Sequence, residues 1–144
     1  MKNTLNFSLL ILFIAVSCTQ EKKQPLEGGW KLVSASYPDN DMSYPGTFTG
    51  SGVKTWVSGT FVFAGSYRMD TVVYDNYGWG TNTLTEGNKY EEVIMYHHLS
   101  ESLTGSKIKM IIEVKNDTLF QYWPADDDWK LPGKYSIEKY VRLK

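Results

Sequence analysis

His97 and His98 are the only histidines of the chain, and they are adjacent. On a strand, neighbouring side chains point to opposite faces, so one metal ion cannot easily take both. The pair reads as solvated or hydrogen-bonded histidines at a strand end, and no metal site is expected. The same stretch carries a more informative alternation. Tyr90, Glu92, Ile94, Tyr96 and His98 fall on one face, and Glu91, Val93, Met95, His97 and Leu99 on the other. Directed inward, the first set makes a mostly aromatic wall with one carboxylate, the sparse polar provision of a small-molecule pocket. A buried Glu92 then needs hydrogen bonds or a counter-charge, for which Tyr hydroxyls or Arg68 are candidates. The reverse assignment, with Glu92 outside and Val93 and Met95 in the core, stays open on pattern alone.

Gly78-Trp79-Gly80 suggests a second contact. Flanking glycines free the backbone while Trp79 offers a flat apolar face, suited to a loop that stacks on a ligand near a pocket mouth. The bland alternative is an aromatic packed over a strand crossing. Asp126-Asp127-Asp128 does not make an EF-hand, because the required Gly and the terminal Glu are missing; a solvated acidic turn is expected. No G-x-S-x-G elbow is present, and Glu91-Glu92 diverge by alternation. No enzyme activity, catalytic residue or cofactor is expected.

The elements that must position these residues are strands. Lys107–Lys115 alternates, with Ile108, Met110, Ile112 and Val114 on one face. Asn116-Asp117 turns it into Thr118–Trp123, which Pro124 stops. Thr81–Thr85 and Lys89–His97 flank the turn Glu86-Gly87-Asn88. Further strands are expected at Trp30–Ser36, Val53–Val57, Thr60–Phe63, Tyr67–Val73 and Tyr135–Leu143. About nine short strands joined mostly by hairpins predict an all-β fold, a sandwich or an up-and-down barrel.

Composition agrees. The 144 residues suffice for a single domain. Aromatic residues make up 15% of the chain, which favours pleated, half-buried surfaces. Fifteen basic against sixteen acidic side chains leave a net charge of −1, which argues against nucleic acid as a partner. A single Cys excludes a disulfide within the chain and a Cys-based zinc site.

That Cys has a placement of its own. Met1-Lys2-Asn3 gives a positive start, and Leu9–Val16 is an apolar run too short to span a membrane. Ala15-Val16-Ser17-Cys18 then resembles a bacterial lipobox, although Leu is more usual where Ala15 stands. The resemblance implies a lipoprotein signal over 1–17, lipidation at Cys18, a tether over 18–25 and a folded domain over 26–144. It also implies a place in the cell envelope, at the outer membrane on its periplasmic or surface face, with the membrane as partner through the lipid anchor.

Gly28-x-Trp30, at the head of the first strand, resembles the G-x-W signature of lipocalins and the wider calycin group. The alternation Tyr90-x-Glu92-x-Ile94-x-Tyr96, and the later Asn116-Asp117-Thr118-Leu119, resemble the lipocalin-like lipoproteins of Bacteroidetes. The resemblance covers about residues 26–143. It implies an antiparallel β-barrel of about 8–9 strands in which Trp30 packs across the closed end and Arg142 lies over it, closing the barrel structurally. It also implies a small, largely apolar or aromatic ligand, with Tyr90, Glu92, Ile94 and Tyr96 as wall and Trp79 near the mouth. The alternative is a non-binding structural or accessory subunit of an envelope assembly, with its aromatic surplus outside. Two segments, Tyr37–Gly52 and Ala125–Trp129, depart from the family pattern; both can sit at the open end and decide the ligand, or be idle surface loops.

Overall fold

A computed structural model describes residues 25–144. The signal segment 1–17, Cys18 and the tether up to residue 24 lie outside the described residues. Nine strands follow in order: β1 Gly28–Tyr37, β2 Met42–Tyr44, β3 Thr49–Val57, β4 Thr60–Met69, β5 Val72–Leu84, β6 Lys89–His97, β7 Lys107–Lys115, β8 Thr118–Trp123 and β9 Ser136–Arg142. A short 3₁₀ turn, Glu101–Leu103, links β6 to β7. Every pairing is antiparallel, and β9 returns to β1. Strands β1 and β3–β9 therefore close an eight-stranded barrel, which leaves no long edge unpaired. The short β2 is extra. It takes the second half of the β1 edge at Ala35–Tyr37, after β3 has used Gly28–Lys31. This closed all-β architecture is the one implied by the lipocalin resemblance.

Tight turns explain the hairpins. Ser58 and Gly59 both adopt left-handed backbone, φ 48° and 75°, as a two-residue turn matched to strand twist requires. Asp70 (φ 52°) and Asn116 (φ 53°) serve the β4–β5 and β7–β8 turns. The expected strand Tyr67–Val73 is corrected accordingly: it spans the turn at Asp70-Thr71 and belongs to two strands. Gly78-Trp79-Gly80 is likewise corrected from a loop to the interior of the thirteen-residue β5.

One end of the barrel is sealed. Trp30, Trp56, Phe61, Tyr90 and Leu119 are fully buried there. The Arg142 guanidinium lies 4.1 Å from the Trp30 ring centroid. It donates to the carbonyls of Glu27 (2.6 Å) and Pro25 (2.8 Å), while Trp30 Nε1 donates to the Leu26 carbonyl at 2.8 Å. The incoming chain is thereby strapped across this end. The opposite end, where β1, β4, β6 and β8 finish, is open.

Two bulges decide which residues face inward. Along β1, Leu32 pairs with Tyr140 but Ser34 pairs with Lys139, so Val33 is the extra residue. Along β6, Ile94 pairs with Gly80 but Tyr96 pairs with Trp79, so Met95 is extra. Each bulge flips the alternation beyond it. The inward set of β1 becomes Trp30, Leu32, Ala35, Tyr37, and that of β6 becomes Tyr90, Glu92, Ile94, His97.

Candidate functional site

The open end leads into a cavity of about 470 Å³. Its walls are mostly apolar and aromatic, with Leu32, Phe48, Phe63, Ile94, Met110 and Trp123 among them. That volume lies in the range of small-molecule sites. The Tyr37–Gly52 segment supplies Tyr37, Met42, Phe48 and Gly52 to the lining, so this long connection does shape the cavity.

Polar groups are few and placed at two levels. Near the sealed end, Glu92 and Lys54 form an ion pair with Nζ–Oε1 2.5 Å and side chains only 3% and 8% exposed. The Tyr90 hydroxyl donates to Glu92 Oε1 at 2.7 Å, and Trp56 Nε1 donates to the Tyr90 hydroxyl at 2.6 Å. Lys54 Nζ also rests 4.7 Å from the Phe61 ring centroid and 5.1 Å from that of Trp56. Burial, and then the charge of Glu92, push the Tyr90 hydroxyl well above the ordinary tyrosine range, so it stays a neutral donor. Both buried charges therefore have partners, which a low-dielectric site demands.

Higher up, Glu138 on β9 accepts from the Tyr37 hydroxyl at Oε1 (2.8 Å) and from the Tyr140 hydroxyl at Oε2 (2.6 Å). Burial first, then the Glu138 charge, raise Tyr37 and Tyr140 far above their usual range. The same causes in the same order push Tyr67 up to about 12. At the rim, His97 packs against Phe63 at 5.3 Å between ring centroids, and its Nδ1 accepts from the Ser100 N–H at 3.2 Å. His98 points outward and stacks on Tyr77 at 4.2 Å. Among the described residues no group of three or more His, Cys, Asp or Glu side chains converges as a metal site.

The residues expected from sequence separate into three groups. Glu92 and Ile94 line the cavity. Tyr90 faces inward but lies deeper than the lining, as the hydroxyl that holds Glu92. Tyr96 and Trp79 do not line it: they pair with each other across β5 and β6 and stand 43% and 44% exposed on the outer face. The bulge at Met95 is the reason for Tyr96, since it turns His97 inward in its place. Arg68 is exposed, and Lys54 is the partner of Glu92 instead. Trp30 and Arg142 close the sealed end, away from the cavity lining. The Ala125–Trp129 segment stands apart from the cavity as well. There Asp126 Oδ1 accepts from the N–H groups of Asp128 and Lys130, and Asp127 pairs with Lys109 at 2.7 Å.

Lys54 and Glu138 were missed, although parity held the signal. Lys54 shares a face with Trp56, and Glu138 shares one with Tyr140 and Arg142.

Burial, and secondarily the neighbouring His98, lower the His97 pKa from 6.5. The unfolded chain then binds a proton at His97 at higher pH than the folded one, so stability falls as pH drops below 6.5 through the folded value. Protonation also removes the acceptor for Ser100. We expect the urea midpoint to fall between pH 7.5 and 5, and His97→Asn to shrink that fall. An equal fall in the variant would remove His97 from the account.

No protein-family model and no curated protein matches the chain. The cavity's own geometry therefore carries the functional reading.

Proposed function

We propose that this protein is a lipid-anchored cell-envelope protein, like the Bacteroidetes lipocalin-like lipoproteins it resembles, whose barrel binds a small, largely apolar or aromatic ligand without transforming it. The observation that carries binding is the cavity of about 470 Å³, walled by apolar side chains and open at one end. Burial of ligand surface at about 25 cal/mol per Å² would supply the affinity, and the polar groups its orientation. The apolar run followed by Cys18 supports the anchor, at the outer membrane on its periplasmic or surface face.

The test is a neutral apolar probe. N-phenyl-1-naphthylamine should bind the full-length protein saturably, with enhanced fluorescence. Ile108→Trp, which fills space at the cavity wall, should weaken binding at least about tenfold while near-ultraviolet circular dichroism stays native. Equal binding by the variant would locate the probe elsewhere and count against a binding barrel.

A second reading, an accessory subunit, draws on the outer face. Val62, Trp79 and Tyr96 stand in one row across β4, β5 and β6, all substantially exposed. Such a patch suits contact with another protein. An Ile108→Trp protein that keeps its biological role while Trp79→Ser loses it would favour this reading.

A further inference from the structure

The polar provision of the cavity is asymmetric in sign. Glu92 is answered by Lys54, and that lysine is thereby engaged. Glu138 has no cation partner among the described residues; it holds only two neutral tyrosine hydroxyls. A carboxylate accepts about four hydrogen bonds, so roughly half its capacity is left. Asn76, which also lines the cavity, keeps its Oδ1 buried with no hydrogen-bond partner among the described residues. The unused capacity at Glu138 is acceptor capacity, and the lining carries two carboxylates against one ammonium; Gln121, paired with Glu138 across the strands, keeps both amide atoms buried without a partner among the described residues.

The surroundings of Glu138 point the same way. Tyr37 packs against Phe48 at 6.1 Å and Trp123 at 5.8 Å between ring centroids. Phe48 in turn meets Tyr67 edge-on at 5.5 Å. These four rings and Glu138 all line the cavity, and the Glu138 charge is felt at the hydroxyls of Tyr37, Tyr67 and Tyr140. Aromatic faces present negative potential and attract cations, the more strongly when water is excluded. A carboxylate set among aromatic rings is a receptor for positive charge on an apolar body. A carboxylate ligand would meet Glu138 by repulsion and find Lys54 already paired.

We propose that the ligand of this cavity is an organic ammonium ion, an apolar body with one protonated amine directed at Glu138 inside the ring set Tyr37, Phe48, Tyr67 and Trp123. This rests on the binding-barrel reading above and specifies its ligand class.

Three probes of equal chain length decide it: octylammonium, octanol and octanoate, each titrated at pH 7 against N-phenyl-1-naphthylamine bound to the full-length protein. Octylammonium should displace the dye at least about tenfold more tightly than octanol, and octanoate more weakly than octanol. Glu138→Gln keeps the shape and removes the charge, so it should bring octylammonium to within about threefold of octanol. The wild-type order alone is decisive if that variant does not fold. Octanol binding as tightly as octylammonium overturns the ammonium assignment and leaves a binding barrel standing. Failure of the dye and of all three probes to bind overturns both.

Discussion

Glu92→Leu should cost about 3–5 kcal/mol of unfolding free energy, because it leaves the Lys54 ammonium buried with no counter-charge. The side chain of Lys54 is only 8% exposed, and its remaining neighbours are the faces of Trp56 and Phe61. Ring faces compensate a cation only in part. Lys54→Met/Glu92→Leu should recover at least about 2 kcal/mol of that loss, since an apolar pair of similar volume needs no desolvation of charge. Recovery should fall short of complete. The Tyr90 hydroxyl still receives the Trp56 N–H but loses its acceptor, which costs about 1–3 kcal/mol. Urea unfolding of the wild type, both single variants and the double variant gives the coupling directly. A double variant no more stable than Glu92→Leu would sink the argument that an orphaned charge dominates.

The legibility of this site divides at the two bulges. Up to Ile94, plain alternation places Tyr90, Glu92 and Ile94 on the side that proves to be inside, and the resemblance of Gly28-x-Trp30 favours that side. Past Met95 the period-two rule reverses, so the sequence pattern puts Tyr96 in the wall where the barrel puts His97. The bulge at Val33 acts alike on β1 and brings Tyr37 over Glu138. Neither bulge has a glycine or other local mark at its extra residue. A bulge bends its strand and shifts the register of its pairing, and closing a barrel fixes that register around the whole sheet, so the constraint does not sit at one residue. The long β5 was hidden for a different reason. Its stretch Tyr74-Asp75-Asn76-Tyr77-Gly78 has turn-forming composition, and only its long pairing with β4 from Val72 to Thr81 makes it a strand. Lys54 escaped because a lysine between Val53 and Thr55 reads as surface; its burial depends on Glu92, three strands further across the sheet at β6.

The same geometry gives the cavity its two levels. The sealed end holds its ion pair within a fully buried aromatic cluster, so Glu92 and Lys54 fix the shape of the inner end. Glu138 sits higher, among rings supplied by β1, β4, β8 and the Tyr37–Gly52 connection, where a ligand entering from the open end would reach it. Each change at the inner pair is expected to act on stability, and each change at Glu138 on ligand choice. The Glu92 and Glu138 variants therefore separate two carboxylates of one cavity by what they alter.

Gly80→Ala should be a severely damaging single-methyl addition in the barrel wall, costing about 3 kcal/mol. A Cβ at this inward position would overlap the backbone carbonyl oxygen of Val93 and stand 2.7 Å from the edge of the Phe61 ring. Phe61 is fully buried and cannot swing away. The Val93 carbonyl belongs to β6 two residues before its bulge, so moving it disturbs the pairing that turns His97 inward. Gly78 is under the same pressure, from the Tyr96 carbonyl and the Phe63 ring. This accounts for Gly78-Trp79-Gly80 in steric terms: the glycines leave room for two phenylalanine rings in the lumen, and Trp79 points outward because its neighbours point in. Gly133→Ala is the control, since nothing lies within 4 Å of its Cβ position and its backbone is not left-handed; it should change stability by less than about 0.5 kcal/mol. Gly80→Ala/Phe61→Leu relieves the ring but not the carbonyl, and should recover only part of the loss. Thermal melts of the four proteins decide the matter, and a Gly80→Ala melt equal to that of Gly133→Ala would show that the wall gives way without cost.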